Sequence, residues 1–554
     1  MLRSCESRLL ELRLDVSRNN VVIVLARESI VFDWIVSNIV PQVVKGRGRL
    51  VIACYTRRQC EVLYTRVRSR VGADDVGIVY GLMDPEAKDH ERRKRIIVTT
   101  HSTLLLLSQY LDEKSSVVLL DVENLFTNVR SRILFWSILT RLAIRQVPTT
   151  LVTAYVLDVE PLRKLLGYRK LEVHHLGDIS TIGEITLVKA EYYTESLVDR
   201  VVEVASQNLG QNILIICDSL QYLEQFRQEL EKLPQPTYIA RFGKDIAKIL
   251  NKHEAVTVLA TSGAVRQRYP IDVAVIVVHS DKTWNEHKLL NMIKELWTSS
   301  KKLYIIYNNR DQAVRRIVEN VVNLDIGDIY IPEECLDTYI LYVTYPEMRY
   351  DQAIRHTLAL PFLNVEPSKI HRTVREVLCP AKLVEFTEDE EIRHTRLGRV
   401  IVEQGFTVDD YFKIFNMFMN TRNEAGIPDP VRVLELCVEP TVSKYVDDAS
   451  VGKVLENFRK RGLEPIIDPR LFAGIVLVVP EVVIEAYRHA RLLYVMMIEL
   501  GLNRKRKYVR MFEYFEKRIY RPLSILRYHV GKEIDSDLLS SIVSPLVQEA
   551  GASS

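Results

Sequence analysis

The chain has 554 residues, 47% of them hydrophobic and 27% charged, which fits a protein with packed cores and argues against a disordered or fibrous chain. Lys and Arg (75) nearly balance Asp and Glu (72), so the net charge of +3 does not by itself point to an anionic partner. No apolar run approaches the roughly 20 residues of a membrane span, and the charged opening MLRSCESRLLELRLD lacks a secretory segment. The expectation is an intracellular, cytoplasmic protein with no membrane contact. Seven cysteines (5, 54, 60, 217, 335, 379 and 437) make an odd count with no C-x-x-C pair, so neither a zinc cluster nor a disulfide framework is expected.

In chain order, near-continuous β-branched runs predict strands at 20–26, 50–55, 95–100, 116–121 and 149–154. Such runs suit parallel strands buried on both faces. Amphipathic stretches such as 57–71 lie between them, and this alternation predicts a doubly wound α/β domain. The pattern repeats with strands at 185–192, 212–219, 257–262, 273–280 and 302–308, and a helix at 220–233. Beyond about 311 helical periodicity dominates, with a polar loop at 423–430.

Short segments at the predicted strand ends narrow the field, because ligands of open α/β sheets bind at the carboxyl ends of the strands. IACYTRRQCEVLY (52–64), IIVTTHSTLLLL (96–107), VVLLDVENLF (117–126) and LVTAYVLDVEPLRKLLG (151–167) succeed one another in the first domain. NILIICDSLQYLEQFRQEL (212–230) and VLATSGAVRQRYPIDVAVIVV (258–278) follow in the second. In order and spacing these segments resemble the P-T-R, T-T-P-G-x-L, D-E-x-H and S-A-T motifs and the second-lobe motifs of superfamily-2 (DExH/DEAH-type) helicases. EIRHTRLGRVIVEQGFTVDDYFKIFNMF (391–418) resembles a segment of the large DExH group, in which a winged helix and a helical ratchet domain follow the motor lobes. In that resemblance 371–390 is the recognition part and wing. The expected fold class is therefore α/β, with two tandem RecA-like doubly wound parallel-sheet domains (1–180 and 181–310), a winged-helix-like domain (311–420) and a helical C-terminal domain (421–554).

The residues that would serve ATP are not those of the family. A phosphate loop needs glycines for its tight turn and a lysine for charge, as G-x-x-x-x-G-K-[ST]. The matching stretch is Arg27-Glu28-Ser29-Ile30-Val31-Phe32-Asp33-Trp34, and the first glycine of the chain is Gly46. D-E-x-H becomes Asp121-Val122-Glu123-Asn124. Asp121 survives as a remnant, but Val122 can neither orient water nor accept a proton. The stretch at the place of the arginine-finger motif, 289–307, contains no arginine. Tyr155, where the family has a small hydroxyl residue, is expected to pack between domains.

The resemblance also implies a backbone-gripping track at Thr56, Arg57, Thr99, Thr100 and Thr261. Each of these also suits a helix cap or strand-end hydroxyl. A second basic feature, NRKRKYVRMFEYFEKRIYRPLSILRYH (503–529), groups Arg504, Lys505, Arg506, Lys507 and Arg510 with Tyr508, Phe512, Tyr514 and Tyr520. Cations beside aromatics suit phosphate contact with base stacking, or else a solvated helix face over an aromatic core stripe. The leading expectation is a nucleic-acid-binding, helicase-like protein deficient in ATP hydrolysis, with single-stranded or duplex nucleic acid as partner, in a replication, repair or transcription assembly. No cofactor is expected. ATP and Mg²⁺ belong to the alternative of an active helicase with diverged motifs, and a third alternative is a protein-interaction scaffold.

Overall fold

The computed structural model describes residues 9, 12, 14–25, 28–46, 48–81, 83, 85–126, 128–153, 158–177, 185–191, 194–240, 243–265, 269–281, 283–297, 300–323, 329–360, 362–363, 365–423, 426–530 and 534–550. Arg27 of the phosphate-loop position, and Tyr155, lie outside the described residues. The chain forms two compact units. One comprises residues 1–81, 85–332 and 359–364, and the other 82–84, 333–358 and 365–554.

The first unit holds two parallel sheets. Strands β1 (Asn20–Leu25), β2 (Arg49–Cys54), β3 (Val76–Val79), β4 (Ile96–Thr100), β5 (Ser115–Leu119), β6 (Thr149–Thr153) and β7 (Leu171–Gly177) stand in the order β3-β4-β2-β5-β6-β1-β7. Every pairing is parallel. Helices α1 (Glu28–Trp34) and α2 (Arg57–Val71) follow β1 and β2 and pack on one face, in a core of Val21, Ile23, Trp34, Ile52, Leu63 and their neighbours. Helices α3 (His101–Leu107) and α4 (Val129–Ile144) follow β4 and β5, pack on each other, and cover the opposite face as right-handed crossovers require.

Strands β8 (Ile185–Ala190), β9 (Ile213–Ile216), β10 (Thr237–Ala240), β11 (Thr257–Ala260), β12 (Val273–Val278) and β13 (Lys302–Asn308) form the second sheet, ordered β10-β11-β9-β12-β13-β8. Helices α5 (Thr194–Gln207), α6 (Leu220–Leu230), α7 (Glu286–Trp297) and α8 (Gln312–Val322) accompany it. Helix α8 packs against β13 and α7, so this lobe runs past the boundary of 310 expected from the strand pattern. The predicted strands are present in both sheets. The strands that the pattern did not announce, β3, β7 and β10, are edge strands, where no second neighbour demands a continuous apolar run.

The second unit opens with α9 (Leu336–Val343), β14 (Glu347–Arg349), α10 (Tyr350–Leu358) and α11 (Pro367–Arg372), the last extended by a π turn over Thr373–Leu378. Then come β15 (Val384–Phe386) and β16 (Glu391–His394), which complete an antiparallel sheet ordered β14-β16-β15. Helices α12 (Arg396–Gln404), α13 (Val408–Asn420), α14 (Pro430–Tyr445) and α15 (Pro480–Glu499) follow, with α15 packed on both α12 and α14. Among the described residues no helix is long and apolar enough to cross a membrane.

One buried polar group ties the first sheet together. Asn20 is fully buried at the start of β1, donates from Nδ2 to the Leu166 carbonyl at 2.9 Å, and accepts the Thr149 amide on Oδ1 at 2.9 Å. Removing it would orphan a donor at β6 and an acceptor after the following helix. Each buried group left unpaired costs about 1–3 kcal/mol. Asn20→Ala is therefore expected to lower the unfolding free energy of the first unit by roughly that amount or more, read from the urea midpoint. An unchanged midpoint would contradict the assignment.

Candidate nucleic-acid interface and strand-end site

The carboxyl edge of the first sheet gathers the ends of β2, β4 and β5. Cys54 and Thr100 are register partners, and Thr56 follows two residues past that pair at the same edge. Thr56 is the N-cap of α2: its hydroxyl accepts the Gln59 amide at 3.2 Å, and Gln59 Oε1 accepts the Thr56 amide at 2.9 Å. This is a complete capping box, spelled by Thr56-x-x-Gln59. Gln59 then donates from Nε2 to Asp121 Oδ2 at 2.8 Å, joining the cap of α2 to the end of β5.

Asp121 sits at φ +53°, an uncommon conformation for a residue other than glycine, and is 6% exposed. The turn after it, Val122–Phe126, is 3-10 and wholly buried, with Val122 at 0%, Glu123 at 1% and Asn124 at 5% exposure. Helix α7 of the second lobe packs directly on this turn. Behind it, edge-to-face aromatics run from Phe126 through Phe135 to Trp136 (centroids 4.9 and 5.1 Å apart), and Trp136 Nε1 donates to the Ile329 carbonyl at 2.7 Å.

His101, the first residue of α3, is buried beside this turn, with Nε2 2.8 Å from the Leu120 carbonyl. Burial pulls its pKa down to about 4, against the opposing field of Asp121.

The expected backbone-gripping residues fare unequally. Thr99 is fully buried and its hydroxyl donates to the Val79 carbonyl at 2.7 Å, so its side chain cannot meet a strand at the surface; it is struck from the track. Thr56 is half-buried, with its hydroxyl committed to the cap. Arg57 pairs with Glu61 at 2.8 Å and lies 4.7 Å over the Tyr80 ring, so its charge is already answered locally. Thr100 is half-buried, its hydroxyl 3.0 Å from that of Thr103. Thr261 ends the next-door strand of the second sheet and is 7% exposed.

The second lobe holds a polar cluster that the sequence did not announce. The Asp218 carboxylate, at the end of β9, is fully buried and accepts from the Ser262 amide (2.8 Å) and hydroxyl (2.6 Å). Lys288 of α7 completes an ion pair with it, also donates to the Thr283 carbonyl, and lies 4.8 Å from the Trp284 ring. Charged and satisfied on all sides, this pair fixes α7 to the strand ends of its own lobe while the helix covers the turn of the other. The neighbouring Cys217 thiol is pushed up by burial and is not a nucleophile.

In the second unit Arg504, Lys505, Arg506 and Lys507 are all exposed, and among the described residues none has a carboxylate within ion-pair distance. They lie in a turn over 501–508 and not on the solvated helix face of the alternative reading, because α15 ends at Glu499 and the next helix, α16 (Val509–Phe515), starts only at Val509. Two of the aromatics are spent on packing. Phe512 and Tyr520 stack on Tyr494, with centroids 5.4 and 4.3 Å away, leaving half-buried Tyr508 and exposed Tyr514.

A base whose folded pKa lies below its unfolded value stabilises the fold above the unfolded pKa, and that stability is lost as pH falls toward the folded one. His101 has an ordinary value of 6.5 and a folded value of about 4, so stability is expected to decline from near pH 6.5 down to about 4. His356 in the second unit, also lowered to about 4, adds to the same decline. His101→Gln should flatten the pH dependence of the melting temperature without abolishing it. A profile identical to that of the parent would contradict the burial argument.

No model of a known family matches the chain, and no curated protein sequence does either. Two solved structures of the DUF1998 helicase MrfA, one bound to DNA and one to DNA and AMPPNP, are similar to it at 13% and 12% identity, with TM-scores of 0.48 and 0.49. The likeness covers 73% and 71% of this chain, which spans 62% and 59% of the length of those two chains.

Proposed function

We propose that this protein binds nucleic acid with a two-lobed helicase-like core that no longer hydrolyses ATP, and that it serves as a subunit of a replication, repair or transcription assembly. The observation that carries the reading is the burial of Asp121–Phe126 beneath α7. In phosphoryl transfer this position must present a carboxylate to Mg²⁺ and another group to the attacking water. Here the Asp121 carboxylate is held by Gln59, the Val122 side chain offers no polar atom, and α1 opens at Glu28 with neither glycine nor lysine up to Trp34. These residues do not fit a nucleotide–Mg²⁺ site.

The helix–strand–helix–helix–strand–strand order of 336–394 supports reading that segment as a winged helix. With the T-x-L-G-R stretch on α12, it supports kinship to the large DExH group, and the helices beyond it then form the C-terminal domain.

Binding would run through exposed cations, chiefly 504–507, because the first-lobe hydroxyls are mostly committed within the fold. ATP turnover by the purified chain is expected to stay at background with or without single-stranded DNA or RNA. Replacing Arg504, Lys505, Arg506 and Lys507 by Gln should reduce the slope of log K against log salt by roughly 2 to 3, at about 0.7–0.9 per phosphate contact. Strand-stimulated turnover that co-elutes with the protein would overturn the ATPase reading, and an unchanged slope would overturn the binding site.

A further inference from the structure

Part of the surface charge of this protein is paired within the chain. Cations such as Arg66, Arg200, Arg227, Arg432 and Arg470 each lie within 3.0 Å of a carboxylate. Lys382, Arg396 and Arg399 belong to a different set: all three are exposed, and among the described residues none has a carboxylate within ion-pair distance.

Local bonding gathers them at one place. Lys382 lies in the turn between α11 and β15, and the Thr395 hydroxyl donates to its carbonyl at 2.6 Å. Arg396 and Arg399 occupy the first turn of α12, whose N-cap is that same Thr395. Gly398 between them packs so tightly against the Leu383 carbonyl that a Cβ would collide with it. The Lys382 ammonium meanwhile lies 3.5 Å from the Glu499 carbonyl at the end of α15, and the basic turn 501–508 begins two residues later. The partial negative charge of that helix end tolerates cations without needing a carboxylate.

The winged-helix-like face is charged the other way. Glu388, Asp389 and Glu390 are exposed at the tip between β15 and β16. The cations of α11 and its π turn are engaged at home: Lys369 with Glu333, Arg372 with Glu376 at 3.9 Å, and Arg375 over the Phe386 ring at 4.9 Å. A recognition helix in a major groove, flanked by a wing on the backbone, would bring these carboxylates against phosphates.

Resting on the nucleic-acid reading above, we infer that Lys382, Arg396 and Arg399 extend the basic turn 504–507 into one track for the phosphate backbone of a single strand, and that the acidic wing stays outside the contact. Tyr508, with the Lys507 ammonium 5.7 Å from its ring, supplies a stacking face at the far end.

The test is fluorescence anisotropy of the full-length chain with a labelled oligothymidylate of about 20 nucleotides, a length that spans several single-strand contacts, across a salt series. K382Q/R396Q/R399Q should lower the salt slope by roughly 2, at about 0.7 per contact on a single strand. E388Q/D389N/E390Q should leave affinity unchanged or raise it slightly. R396Q/R399Q, which spares the positive-φ position Lys382, should lower the slope by about 1.4 and guards against a folding defect. Melting curves of all variants should match the parent, since exposed charges contribute little stability. If the triple variant keeps the parental slope while the quadruple 504–507 variant loses it, the track is wrong and the basic turn acts alone. Loss of binding on neutralising the wing would equally overturn it. A parent chain that binds no oligonucleotide, DNA or RNA, even at low salt would instead sink the nucleic-acid reading itself.

Discussion

The packing of α7 over the buried turn Val122–Phe126 is the constraint on which the first unit depends. Open α/β sheets leave a crevice outside the carboxyl ends of their strands, and a protein that binds a ligand there must keep that crevice wet or fill it only on demand. Here apolar Val122, Leu125 and Phe126 are buried beneath α7, backed by Phe135 and Trp136. The αL backbone of Asp121 is tolerated because Gln59 holds its carboxylate, and Gln59 is itself held by the capping box of α2. A strained strand end over-determined by its neighbours more often marks a functional site. In this chain the strand end also lies where the lobes meet, since α7 of the second lobe packs on the turn that follows it.

The second lobe contributes the other half of that seam. Burying the Asp218 carboxylate is tolerable because the Ser262 amide and hydroxyl and the Lys288 ammonium converge on it. Lys288 stands on α7, so this ion pair sets where the helix presents its apolar side. Removing one partner would leave a buried charge unanswered, a cost of about 3–5 kcal/mol. Among the described residues, the polar cluster thus holds α7 within its own lobe and the apolar turn meets that helix from the other.

Much of this was legible in the sequence, and the exceptions have physical causes. Central strands such as NVVIVL and VAVIVV announce themselves because both faces are buried, whereas LEVHHLG and TYIA lie at edges and carry polar residues. The cap of α2 is spelled by Thr56 and Gln59, but the reach from Gln59 to Asp121 crosses 62 residues and no local pattern contains it. Thr99 looked available because a strand-end hydroxyl can face either way; the register turns it toward Val79. The cluster 504–507 was visible as charge, but its neighbours Phe512 and Tyr520 read equally well as stacking platforms and as core. Tertiary packing decided for the core.

Equilibrium binding of Mg²⁺–ATP, or of a non-hydrolysable analogue, measured by calorimetry on the full-length chain, tests the central claim most directly. The account predicts no saturable heat at nucleotide concentrations up to about 1 mM, where even a weak site worth about 4 kcal/mol would be half filled. A saturable one-to-one isotherm that Asp121→Ala abolishes, with the fold intact, would contradict it: the plug over β5 would then be a closed state that nucleotide opens.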